Sequence, residues 1–245
     1  MDLTDKAVLI TGAASGIGAA TARAMAAQGA KVAICDVDKD RGKQLADEIG
    51  ENARFVELDI TDGDSWDRGV AEIVDALGKL DIAHLNAGVV MRPYGTPTME
   101  PFFDHLTYDN INRIVGINVL GVVLGTAAVI PHLEASKGTL LMTTSPAGMG
   151  AWPVDPLYSA TKSAVNTWVR GMGQLLAQKG IRVNALSPGS VVHTRMTTDD
   201  WQEAVPPGSP IVEPDLMAEA VLKILDQEGD GGIFLATPDG NLTRM

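Results

Sequence analysis

The sequence predicts a doubly wound α/β fold: one parallel sheet of seven strands with helices on both faces. Three observations predict it. Short apolar runs alternate with helix-forming stretches along nearly the whole chain. Those runs do not alternate polar with apolar residues, so each strand is buried on both faces, as in a parallel sheet covered by helices. The first run passes into the first helix through a glycine-rich turn, Thr11-Gly12-Ala13-Ala14-Ser15-Gly16-Ile17-Gly18. Right-handed crossovers between such units give the strand order 3-2-1-4-5-6-7. A chain of 245 residues buries one sizeable core, and we read residues 1–245 as one domain.

Lys6 to Thr11 is the first strand, and helix-forming residues follow the glycine turn to Gln28. Gly12, Gly16 and Gly18 remove side chains where backbone must approach a ligand. The helix beyond turns its N-terminal N–H groups and positive dipole end towards a phosphate. The spacing is Gly-x-x-x-Gly-x-Gly, not the Gly-x-Gly-x-x-Gly of the usual dinucleotide fingerprint. Lys31 to Cys35 is the second strand, closed by Asp36. In a dinucleotide fold an acid about 20 positions beyond the loop holds the ribose hydroxyls, and Asp36 stands there. Its charge would repel the 2′-phosphate of NADP, so the expected cofactor is NAD. No arginine follows it, since Val37, Asp38 and Lys39 are next. The plainer alternative for Asp36 is a loop acid or helix cap.

A helix near 39–49, a strand near 54–58 and a helix near 64–77 repeat the pattern. Between the last two, Asp59 and Ile60 stand at a strand end. Asp59 either bonds an adenine amine or caps the next helix. The fourth strand runs from Asp81 through Leu85 into Asn86-Ala87-Gly88, where backbone passes close to a cofactor. Residues 108–132 form a long apolar helix with Asn118 in its middle. That amide either satisfies the core or disturbs the helix and holds a water. The fifth strand, 138–142, leads to Ser145. A helix from Tyr158 to about Lys179 and a strand over 182–186 follow. Ser187-Pro188-Gly189 then opens a long irregular segment to Pro214, containing Met196, Trp201, Pro206, Pro207 and Pro210. We read 190–213 as a substrate lid, because loops that long are commonly functional. A helix over 214–226 and a strand over 233–236 end the fold.

Tyr158 and Lys162 are four apart and share one helix face. A Lys cation beside a phenol favours phenolate and lowers the Tyr pKa towards neutrality. Such a Tyr can trade a proton with an alcohol or ketone. Ser145, at the sheet mouth, can hydrogen-bond the substrate oxygen without carrying charge. Taken alone, Tyr-x-x-x-Lys also describes an ordinary helix-surface pair. Val89, Val90, Met91, Met149, Trp152, Val154 and Met196 flank these motifs and suggest an apolar pocket. Arg92 and Arg195 either meet a substrate carboxylate or are solvated loop residues.

Composition narrows the classes. A net charge of −12 without a Lys/Arg cluster argues against nucleic acid and against an anionic membrane surface. The single cysteine, Cys35, fits a reducing, cytoplasmic setting. A strand by Ala7 leaves no room for a signal peptide. The apolar run from Ile117 to Ile130 is shorter than the roughly 20 residues a bilayer demands. His84, His105, His132 and His193 lack metal-ligand spacing, so no metal is expected. Ser145 lacks the Gly-x-Ser-x-Gly elbow of a hydrolase. The apolar helix around 117–130 and the helix after Tyr158 carry more apolar surface than one sheet face uses. A homodimer or homotetramer is the expected assembly.

Thr11-Gly12-x-x-x-Gly16-x-Gly18, Asn86-Ala87-Gly88, Asn118, Ser145, Tyr158-x-x-x-Lys162 and Pro188-Gly189 stand in the order and spacing of the classical short-chain dehydrogenases/reductases. The chain resembles that family from residue 6 to about 237. The resemblance implies a Rossmann fold, an NAD(P) cofactor and the tetrad Asn118, Ser145, Tyr158 and Lys162. It makes Tyr158 the acid/base and gives Ser145 the substrate oxygen. It assigns Lys162 to the nicotinamide ribose, Asn118 to a proton-relaying water, and Val191 to the carboxamide. The activity implied is NAD-dependent interconversion of a secondary alcohol and a ketone. The lid composition favours a bulky, mostly apolar alcohol, cyclic, steroid-like or fatty. A sugar or polyol dehydrogenase and a non-catalytic NAD sensor are the alternatives. Two departures from the family stand out. His193 occupies the place where the family often has Thr, with Thr194 one later. The ending Ala236-Thr237-Pro238-Asp239-Gly240 replaces the usual C-terminal segment. This ending and the 188–214 stretch look more like the 15-hydroxyprostaglandin dehydrogenase branch.

Overall fold

The computed structural model describes residues 2–91, 102–197, 208 and 210–245. The predicted βα units follow in order. They are β1 (Ala7–Thr11), α1 (Gly16–Ala27), β2 (Lys31–Asp36), α2 (Lys39–Ile49), β3 (Ala53–Glu57), α3 (Gly63–Leu77) and β4 (Ile82–Leu85). The second half holds α4 (Tyr108–Val115), α5 (Gly121–Ser136), β5 (Thr139–Thr143), α6 (Pro156–Ala177) and β6 (Arg182–Pro188). Two short strands, β7 (Val191–Val192) and β8 (Ile211–Val212), pair with each other outside the main sheet. The chain closes with α7 (Pro214–Leu225), β9 (Asp230–Ala236) and β10 (Leu242–Arg244).

The main sheet runs β3-β2-β1-β4-β5-β6-β9-β10. Its first seven strands are parallel and stand in the predicted order. The eighth is a correction to the seven-strand expectation. β10 turns back antiparallel on β9 with Leu242 opposite Ala236. The turn between them closes through Thr237, whose N–H donates to the Asn241 carbonyl at 3.0 Å, with Gly240 at φ +79. Asp239-Gly240 is the kind of pair such a hairpin needs.

Every residue of β1, β4 and β5 is buried, as the apolar runs require. One face packs against α1 and α7 through Ile10, Met25 and Val221. The other packs against α3, α5 and α6 through Trp66, Val129 and Val165. A third cluster gathers Val89, Val90, Met91, Ile114 and Tyr158, packed by Trp152 and Met196.

The long apolar helix is interrupted. Between α4 and α5, Gly116–Leu120 form a π-helical turn, so the helical stretch Tyr108–Ser136 spans 29 residues. It is long and apolar enough to cross a bilayer, which the shorter run in the sequence did not suggest. One face of it, with Val122, Gly125, Val129 and Leu133, is packed into the core as a core helix would be.

Candidate active site

All the predicted site residues except Gly18 and Asn118 line one cleft of about 1570 Å³ at the carboxyl ends of the strands. This is where ligands bind in open α/β sheets. Gly12 and Gly16 take φ +63 and +55, a region that disfavours any side chain. A Cβ on Gly12 would stand 2.8 Å from the Ala87 Cα. Gly18 lies behind the loop, where a Cβ would meet the Gly12 carbonyl at 2.4 Å. Ser15 is the N-cap of α1 but spends no side-chain bond on capping. Ser15, Gly16 and Ile17 line the cleft, and the first N–H groups of a helix make an anion cradle there. Ile17 and the Ala87-Gly88 backbone line the same cleft. This cradle, with no room for side chains and with donors at its rim, fits the pyrophosphate of a dinucleotide.

Asp36 ends β2 as predicted and does a second job. One carboxylate oxygen accepts the Ala14 N–H at 2.9 Å and the other accepts the Asp38 N–H at 3.0 Å. A carboxylate has about four acceptor positions, so ribose hydroxyls still find acceptors there. Asp59 is exposed and caps no helix. Its Oδ1 accepts from the N–H and hydroxyl of Thr61, while Asp62 is the N-cap of α3. Ile60 lines the cleft beside it. The expectation that no arginine offsets the acids at this end is corrected. Arg195 reaches Asp38 at 3.4 Å, and Arg41 reaches the same oxygen at 3.2 Å. Both are half-exposed, so their effect on nearby charge is modest. A linear reading misses the pairing of Arg195 with Asp38 because Arg195 comes from the segment after β7.

The tetrad assembles around α6. Asp155 caps this helix, accepting the Tyr158 N–H at 2.9 Å, and Pro156 sets its first turn. The other Asp155 oxygen accepts the Met91 N–H at 2.7 Å, so the buried carboxylate ties Tyr158 to the loop after β4. The sequence reading missed Asp155, although an Asp-Pro before a helix is a capping signal. Ser145 hydrogen-bonds Tyr158 and also accepts the Ala147 N–H at 3.2 Å at the start of a 3-10 turn, Pro146–Met149. Lys162 Nζ donates to the Thr143 carbonyl at 2.9 Å and lies 5.7 Å from the Tyr158 ring centroid. Trp152 meets Tyr158 edge-on at 5.8 Å.

Asn118 sits on the π turn, buried behind the cleft. It accepts the Val89 N–H and donates to the Val89 carbonyl, both at 2.8 Å, and donates to the Thr161 hydroxyl at 3.0 Å. The helix is disturbed at this residue, and its amide is satisfied by protein groups. Asn118 clamps Val89, in the loop after β4, onto α6.

The expected drop in the Tyr158 pKa is corrected. Burial pushes the phenol up to about 12, the Ser145 hydrogen bond pulls it partly back, and the nearby Asp155 charge adds to the rise. Burial also pushes Lys162 down to about 8. Both side chains are buried at the cleft wall, and desolvation disfavours both charged forms more than proximity helps them.

Past β6, Pro188 and Gly189 turn the chain, with the Gly189 N–H on the Ala236 carbonyl at 2.8 Å. Val191 lines the cleft on β7. The structure separates Thr194 from His193. Thr194 lies against the glycine loop, 3.1 Å from where a Gly16 Cβ would be. His193 turns away, 3.5 Å from the Glu213 carboxylate. Met196 packs on the apolar wall. Arg92, Trp201, Pro206 and Pro207 lie outside the described residues, and with them the middle of the expected lid.

A family model described as short chain dehydrogenase matches residues 6–204. A 2,5-dichloro-2,5-cyclohexadiene-1,4-diol dehydrogenase of Sphingobium indicum is 32% identical over 97% of this chain and 91% of its own. The structure resembles a 3-ketoacyl-(acyl-carrier-protein) reductase from Brucella melitensis complexed with NADH. The TM-score is 0.81 at 34% identity, over 91% of this chain and 92% of that one. It also resembles a short chain dehydrogenase from Burkholderia cenocepacia in complex with NADP. There the TM-score is 0.83 at 29% identity, over 96% and 97% of the two chains. With the family model matched over most of its length and such a relative alongside nearly all of it, the chain belongs to the short-chain dehydrogenases.

Proposed function

We propose that the protein is an NAD-dependent dehydrogenase that interconverts a secondary alcohol and a ketone, acting on a bulky, mostly apolar substrate. The observation that carries this reading is the convergence of Ser145, Tyr158 and Lys162 in the cleft that also holds the glycine loop. When bound, oxidised nicotinamide supplies a hydride acceptor and a positive charge. Ser145 orients the alcohol oxygen, and Tyr158 holds and takes its proton as the carbon gives up hydride. Lys162 keeps a cation near the phenol, and the Val89 clamp made by Asn118 holds the wall behind it. Val90, Ile117, Ala147, Trp152 and Met196 supply an apolar lining for a cyclic or fatty substrate. The cyclic diol acted on by the Sphingobium relative is in keeping with such a lining.

Cofactor choice rests on Asp36. The measurement is kcat/KM for NAD and NADP with cyclic secondary alcohols, followed by NADH or NADPH absorbance, in wild type and Asp36→Ala. Like charge against a 2′-phosphate, partly relieved by Arg195 and Arg41, should leave a preference for NAD of about ten-fold. Asp36→Ala should lose most of it. Equal or better use of NADP by wild type would sink the assignment, and cofactor binding without turnover of any alcohol would favour a sensor.

We also infer a homodimer or homotetramer. Val115 and Leu120 are exposed where they border the cleft, whereas Leu175 on α6 is a large apolar side chain exposed away from it, and contact between two copies would cover it. Light scattering at micromolar protein should report a dimer or larger, and a monomer alone would contradict the inference.

A further inference from the structure

We propose that His84 and Thr143 are positioning residues that orient Asn86 and, through it, hold the glycine loop in its cofactor-binding shape. The inference rests on the nicotinamide-cofactor reading above and adds two residues that the tetrad does not include. His84 is fully buried in the middle of the sheet. Its Nε2 lies 2.8 Å from the Thr143 hydroxyl, which in turn donates to Asn86 Oδ1 at 3.0 Å. Asn86 Nδ2 donates to the Thr11 carbonyl at 3.1 Å and to the Gly12 carbonyl at 3.5 Å.

The proton positions along this chain follow from what each group can do. The Thr11 and Gly12 carbonyls only accept, so the amide nitrogen of Asn86 must face them. Its oxygen then faces Thr143 and needs a donor. A hydroxyl has one proton, and Thr143 gives it to Asn86. The lone pair of Thr143 therefore receives a proton from His84 Nε2–H. His84 is thus neutral, with its proton on Nε2, and its Nδ1 has no partner among the described residues. Burial holds its pKa down at about 3, so the tautomer persists across the working range. Charging the ring would place an N–H in the core with no acceptor among the described residues.

The far end of the chain lies under the glycine loop. A Cβ on Gly18 would meet Asn86 Nδ2 at 2.8 Å and the Gly12 carbonyl at 2.4 Å, so the amide packs directly beneath the turn. An Asn86 flipped by 180° would set its oxygen against two carbonyl oxygens and push the loop away. Thr143 also presents its backbone carbonyl to Lys162, so one residue meets the lysine directly and the phosphate loop through Asn86.

The test is NADH binding, read by fluorescence without turnover. Thr143→Val keeps the shape but removes the hydroxyl, leaving the Asn86 oxygen without its donor. It should weaken NADH binding about ten-fold, the scale of one lost buried hydrogen bond. Thr143→Ser should stay within about two-fold of wild type, because the hydroxyl remains. His84→Leu should fall between them, since Thr143 keeps the proton it donates. Nitrogen NMR of the wild-type imidazole needs no variant, and it should show the Nε2–H tautomer unchanged from pH 5 to 9. Thr143→Val that folds and binds NADH as wild type would overturn the proposal. So would an imidazole in the Nδ1–H form or one titrating near 6.5. If wild type itself failed to bind NADH, the cofactor reading would fall, while the tautomer measurement would still decide the hydrogen-bond chain.

Discussion

Tyr158→Phe should lower turnover on the order of 100- to 10,000-fold, the usual cost of losing a general acid/base. Cofactor affinity should be nearly unchanged. Phe keeps the ring that packs against Trp152 and removes only the hydroxyl bonded to Ser145. The wild-type pH profile carries the same prediction in another form. Tyr158 is raised to about 12 in the protein, so phenolate is the scarce form at neutral pH. Alcohol oxidation, which needs the base, should therefore speed up as pH rises. Ketone reduction, which needs the acid, should not. Stopped-flow measurement in both directions checks the split. Near-native turnover in Tyr158→Phe would remove Tyr158 from the mechanism.

Lys162→Met should lose both turnover and cofactor affinity, yet melt no lower than wild type near neutral pH. The side chain is 3% exposed, and its pKa falls from 10.5 to about 8 on burial. The sign follows from proton binding. Between those values the unfolded chain holds the proton more tightly, so wild-type stability rises with pH from about 8 to 10.5. Below 8 the cost of burying the charge is present in full, about 3 kcal/mol from the shift. Methionine avoids that cost but forfeits the hydrogen bond to the Thr143 carbonyl. Thermal melts of both proteins should show the gap closing as pH rises through this window. A variant that is much less stable than wild type at pH 7 would mean the ammonium holds the fold together. Cofactor titration alongside separates lost binding from lost chemistry.

The strands and their order were legible because each is a short apolar run and βα crossovers have one hand. Glycine spacing exposed the phosphate cradle, and the four-residue step from Tyr158 to Lys162 exposed a shared helix face. Three things stayed hidden. β10 is three residues, Leu-Thr-Arg, too short and too polar to register as a strand, and the Arg244–Asp230 pair that secures it joins distant positions. The Arg195–Asp38 contact likewise joins residues that only the folded chain brings together. The pKa of Tyr158 depends on how completely the site is enclosed, and the spacing to Lys162 carries no information about that.

The π turn at Gly116–Leu120 has a consequence in helical phase. One residue advances a helix by roughly 100°, and a π turn inserts about one residue into the regular winding. The two halves of the long helix therefore serve different neighbours. α5 presents Val129 and Leu133 to the central core, whereas α4 presents Ile114 to the pocket wall and Arg113 to the Val90 and Met91 carbonyls. Removing a single residue from the turn would restore an unbroken helix at little cost to the backbone. It would leave both halves near their present faces and take away the bulge from which Asn118 reaches Val89.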